Sequence, residues 1–176
     1  MEKIFLRAYT KPKNEKKKHE VKHENYKEHK VVFVFDTETT TDTKQNLKVG
    51  FFKLYKNDNL IHEGLFYKEI SKNEKDILYN YGRKNKIEIY SLKQFIYKVY
   101  FPVVLKYKTL CIGFNLPFDI SRIALSHSSA RNNEKDGFSF KLINDSSYPR
   151  VKIKQLNSET NIIKFGYSLL TQDRFQ

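Results

Sequence analysis

Residues 31 to 40, VVFVFDTETT, constrain the fold more than any other stretch of this chain. Val31 to Phe35 are consecutive apolar residues, all β-branched or aromatic, which describes a strand buried on both faces. The run then ends in two carboxylates, Asp36 and Glu38, with one threonine between them. Side chains two apart on a strand point the same way, so the pair shares a face with backbones about 6.5–7 Å apart. At an effective dielectric near 20 their repulsion is roughly 2.4 kcal/mol, and desolvation at the end of a buried strand adds to it. One group takes up a proton, a basic side chain pairs with them, or a divalent cation binds between them. Hard oxygen donors with open positions suit magnesium or manganese. The plain alternative is that Asp36 starts a turn and Glu38 faces water.

The sequence around this strand predicts an α/β domain over residues 31–176, preceded by a polar, basic segment over 1–30. Leu47 to Tyr55 and Leu60 to Tyr67 are strand-like, and Lys56, Asn57, Asp58 and Asn59 between them have the composition of a hairpin turn, giving an antiparallel three-strand meander. Ser71 with Glu74 and Ser91 with Gln94 have capping-box spacing, which starts two helices. Phe95, Ile96, Val99 and Val103 recur at helical period in the second, and Pro102 is expected to kink or end it. Thr109 to Phe114 follows as a strand parallel to the first, and Pro117 suits the first turn of another helix with Ile120, Ile123 and Ala124 buried. Phe138 to Ile143, Arg150 to Leu156 and Asn161 to Phe165 read as a β-rich insertion.

The helix begun at Pro117 carries Asp119 in its first turn, where the helix dipole favours a negative charge. If the strand before it lies beside the first strand and parallel to it, Asp119 meets Asp36 and Glu38 at the carboxyl ends, where open α/β sheets place ligands. These residues resemble a known family. FDTET is similar to the first motif, DxE, of the DEDD 3′-to-5′ exonucleases. Asn115-Leu-Pro-Phe118-Asp119 is similar to their second motif, N-x-x-(F/Y)-D, especially as found in proofreading domains of family B DNA polymerases. The two occur in the family's order, about eighty residues apart. The resemblance implies a ribonuclease-H-like mixed sheet and two-metal hydrolysis of phosphodiester bonds by Mg2+ or Mn2+. Asp36 would bridge both ions, Glu38 would hold the one that activates water, and Asp119 would support the second. Thr39, Asn115 and Phe118 would line the site around the terminal nucleotide.

The third motif of that family, Y-x-x-x-D or H-x-x-x-x-D, is missing. Tyr167 and His127 lack an Asp at either spacing, leaving Asp145 and Asp173 as loose candidates. The domain is therefore expected to be C-terminally incomplete, with a further segment or a second chain supplying the fourth carboxylate, or else a non-catalytic nucleic-acid-binding module. A formal charge of +13 favours a polyanionic partner, DNA or RNA with a single-stranded 3′ end, although a bias to Lys, Asn, Ile, Tyr and Phe also follows from AT-rich coding. Arg150, Lys152 and Lys154 alternate along one strand as a possible phosphate track, and Phe138, Phe140 and Tyr148 are candidate base stackers.

A remote alternative lies in His19-Glu20-Val21-Lys22-His23, an HExxH pattern of zinc peptidases, set in a run of charge with few apolar anchors. Cys111 is the only cysteine. Its place in an apolar run makes it a small buried hydrophobe in a reducing compartment. No segment has the composition of a membrane span or signal peptide, so the expectation is a cytoplasmic protein.

Overall fold

A computed structural model describes residues 30–166 apart from 108, 132, 133, 158 and 159. The HExxH stretch, Tyr167 and Asp173 lie outside the described residues. The opening apolar run forms β1 (Val31–Thr39), which hydrogen-bonds antiparallel to β2 (Leu47–Lys56), itself antiparallel to β3 (Asn59–Tyr67). Asn57 and Asp58 make the β2–β3 connection with φ of 48° and 62°, the left-handed pair that a tight twisted hairpin demands. Period-two alternation then decides the faces. Phe33, Phe35 and Thr37 are buried, whereas Asp36 and Glu38 point to the opposite, exposed side.

Both expected capping boxes are present. The Ser71 hydroxyl accepts from the Glu74 amide and Glu74 accepts from the Ser71 amide, which starts α1 (Lys72–Asn85). Ser91 and Gln94 do the same for α2 (Leu92–Phe95). Pro102 does not end that helix. A π-helical turn over Ile96–Tyr100 comes directly before it, and α3 (Phe101–Lys106) continues beyond. Proline has no N–H to give, and a single wide turn absorbs the misfit where a kink or an end was expected. Phe95, Ile96, Val99 and Val103 are all buried.

Between α1 and α2 lies β4 (Glu88–Ser91), a strand that the sequence reading did not foresee, parallel to β3. Parallel to β1 runs β5 (Leu110–Ile112), shorter than the expected 109–114, and α4 (Leu116–Ile123) follows it. The result is a mixed five-stranded sheet in the order β4-β3-β2-β1-β5. A second, antiparallel sheet in the order β6-β7-β8-β9 is built from β6 (Ser126–Ser129), β7 (Phe138–Lys141), β8 (Arg150–Gln155) and β9 (Asn161–Gly166).

Aromatic rings fill the space between the first sheet and the α2–α3 segment. Phe66 and Phe95 stack at 3.8 Å between centroids, and Phe33, Phe35, Phe52 and Tyr100 close around Phe95. Each buried ring contributes on the order of 1.5–3 kcal/mol over an exposed one. Gly50 makes the arrangement possible, since a Cβ there would lie 2.1 Å from the Phe66 ring. The same core continues into the second sheet through Phe140, Val151 and Ile153. Among the described residues no helix is long and apolar enough to cross a membrane.

Candidate active site

The local sequence places Asp119 in two steps. β5 pairs with β1 only as far as Ile112 opposite Val34, so the last residues of β1 run on past their parallel neighbour. Gly113 and Asn115 then turn the chain back, and a Cβ on Gly113 would meet Leu116 at 2.6 Å and the Phe35 carbonyl oxygen at 3.1 Å, so only a glycine fits there without displacing them. Pro117 stands in the first turn of α4, as its missing N–H allows. The helix thus lies against the free end of β1.

At that end the Thr37 hydroxyl donates to Asp119 Oδ1 at 2.6 Å, joining residues 82 apart. Asp119 is 1% exposed, and its Oδ2 has no hydrogen-bond partner. A buried, unpaired carboxylate oxygen carries a desolvation cost of kcal/mol order. Burial pushes the Asp119 carboxyl above its ordinary range; the Thr37 hydroxyl opposes this, and the negative charge of Asp36 reinforces it. The Cys111 thiol, on the neighbouring strand, is pushed up to about 12, mainly by burial and further by Asp119. A protonated thiol there is an inert core group.

Asp36 and Glu38 share the exposed face of β1, opposite Phe51 and Val49 of β2. The charge of Asp36 raises the Asp119 titration from across the strand, and Glu38 is one pleat further on. Among the described residues no three His, Cys, Asp or Glu side chains are grouped as a metal cage. The unpartnered Asp119 oxygen is a hard donor of the kind a divalent cation takes, but Asp119 is buried against Thr37 whereas Asp36 and Glu38 leave the opposite, exposed face of β1, so the three acids expected to converge are not brought together. Thr39 is half-buried at the end of β1.

Asn115 occupies the N-cap position of α4 without a side-chain capping bond, and Phe118 lies half-buried beneath the Arg122 guanidinium, 4.6 Å from the ring centroid. Arg122 also donates to the Gln45 carbonyl oxygen at 3.0 Å, fastening the β1–β2 loop to α4. Two of the cations of β8, Arg150 and Lys152, are engaged internally. Arg150 donates to the Ser139 hydroxyl at 2.8 Å, and Lys152 lies 3.3 Å from Glu134, which also holds Lys164. Lys154 follows on the same face. That face is opposite the one carrying Phe138 and Phe140, because Ser139 pairs with Lys152 while Phe140 pairs with Val151. Asp145 accepts from the Ser147 amide and hydroxyl and caps its own turn, which accounts for it without a metal.

One contributor is not assigned by the sequence: Thr37, the spacer between two acids, makes the contact to Asp119. Phe114, at 101% relative exposure, is a solvent-facing ring in the loop leading to α4. No protein-family model, curated protein or solved structure matches this chain.

Proposed function

We propose that the chain is a divalent-metal-dependent nuclease of the 3′-to-5′ exonuclease kind, built on a ribonuclease-H-like sheet. One observation carries the reading: a carboxylate sealed from solvent at the carboxyl end of β1, held on one oxygen by Thr37, unpartnered on the other, and within reach of the charge of Asp36. The pairing of β1 with antiparallel β2 on one side and parallel β5 on the other supports the reading, with β1 second from the sheet's edge.

In this reading Thr37 and the backbone amides around Asp119 orient its carboxylate, while Asp36 and Glu38 present oxygens from the solvent side. When bound, the cations supply a water of lowered pKa and take up charge on the attacking and leaving oxygens. A further acid would come from a second chain or another segment, since no third motif follows Asp119 in residues 120–176. The compartment that matches a lone buried thiol is the cytoplasm.

The test is incubation of a 5′-labelled single strand with the chain and Mg2+ or Mn2+. The strand should shorten from its 3′ end, and Asp36→Ala and Asp119→Asn should each slow this by about a hundredfold or more. Cleavage at the original rate in both variants removes the proposal. The ungrouped state of the three acids favours one other reading, a binding module without catalysis. It predicts salt-sensitive binding and no turnover with any metal.

A further inference from the structure

The helix that carries Asp119 has a second face. Between α4 and the four-stranded sheet lies a cleft of about 600 Å3, within the size range of small-ligand sites. Phe118 and Arg122 of α4 form one wall, and His127, Phe138 and Phe140 of the second sheet form the other. We propose that this cleft receives an unpaired base of a single-stranded nucleic acid, stacked on Phe138. The inference rests on the nucleic-acid part of the function proposed above, and is independent of catalysis.

Phe138 is 57% exposed although it sits on the same face of β7 as the buried Phe140. Its ring is held in place, 6.0 Å from Phe140 and 6.4 Å from His127 between centroids, so its free surface is a preset platform. Base–aromatic stacking needs such a platform and tolerates any base, because every base has a π-face. The Arg122 guanidinium, 4.6 Å from the Phe118 ring centroid, adds a positive charge to the facing wall. Asn161 at the cleft edge offers an amide, able both to donate to and to accept from a base edge. The chain's +13 charge supplies attraction to a phosphate backbone.

A paired base in a duplex has both faces stacked and its edge engaged, so only an unpaired base enters a cleft of this kind. Phe118 and Asp119 are consecutive on α4 and leave the helix about 100° apart.

The experiment is binding by fluorescence anisotropy, in chelator, of the full chain to a labelled single strand of about twelve nucleotides, to the same strand with abasic sugars, and to its duplex. The base-bearing strand should bind about tenfold tighter than the abasic strand and the duplex. Phe138→Ala should erase that margin and leave abasic binding unchanged, and Phe138→Tyr should keep it. Equal binding of the base-bearing and abasic strands overturns the proposal, as does a margin that survives Phe138→Ala, or no binding to any strand. If Phe138→Ala does not fold, the wild-type comparison of the two strands decides. A base margin without metal-dependent cleavage counts against the nuclease reading alone, and cleavage without a base margin counts against the cleft alone.

Discussion

Thr37→Val replaces the hydroxyl that donates to Asp119 with a methyl group of nearly the same volume, so no cavity forms and the change isolates one hydrogen bond. A hydrogen bond to a charged group is worth about 1.5–3 kcal/mol, more than the roughly 1 kcal/mol of a neutral one. The value here should fall near the lower end, about 1.5–2 kcal/mol at neutral pH, because an unsupported Asp119 can take up a proton and so limit the loss. The pH dependence has a definite sign. Burial holds the Asp119 carboxyl above its ordinary value, so the unfolded chain releases that proton first. Stability is therefore lost as pH rises from the ordinary carboxylate range through the folded value, and Asp119→Asn abolishes this decline. Urea unfolding followed by tyrosine fluorescence suits a chain with 12 tyrosines and no tryptophan. With a slope near 2 kcal/mol/M, Thr37→Val should lower the midpoint by roughly 0.7–1 M, and by about half that in an Asp119→Asn background. Equal shifts in the two backgrounds, or a shift below about 0.2 M in the wild type, would refute a charge-assisted bond at this position.

Other expectations follow from the same contacts. Gly50→Ala sets a methyl against the Phe66 ring and should cost about 1–3 kcal/mol in chemical denaturation, where a loss under about 0.5 kcal/mol would show that the ring moves freely aside. Ser71→Ala removes one half of the α1 capping box and should cost about 1 kcal/mol, read as a lower thermal midpoint. The Cys111 thiol should resist alkylation at pH 8 in the folded chain and react on unfolding, and rapid native-state labelling would contradict its raised pKa. Phe114→Ala should leave stability within about 0.5 kcal/mol, since the ring is fully exposed. A larger loss would mean that the ring is covered.

The meander, both capping boxes and the strand–proline–helix passage around Asp119 were legible because each is written in neighbouring residues: apolar runs, a cluster of turn formers between them, a Ser three before Glu or Gln. β6 was not, because Ser126–Ser129 is polar and exposed throughout and becomes a strand only by pairing with β7. β4 was lost for a related reason, as its four residues run directly into the Ser91 cap. At the site, the sequence named Asp36, Glu38 and Asp119 but could not assign Thr37, whose role depends on a partner 82 residues away. The internal partners of Arg150 and Lys152 on β8 were not legible for the same reason. Glu134, which engages Lys152 and Lys164, is distant from both in the chain.

The account depends on the carboxylates at the end of β1 taking a doubly charged ion, and a Mn2+ titration of the purified chain followed by the electron paramagnetic resonance signal of free Mn2+ tests this most directly. The wild type should remove at least one equivalent from solution, and Asp36→Ala and Asp119→Asn should each weaken that uptake by about tenfold or more. Uptake that is absent in the wild type, or equal in all three proteins, would contradict the claim.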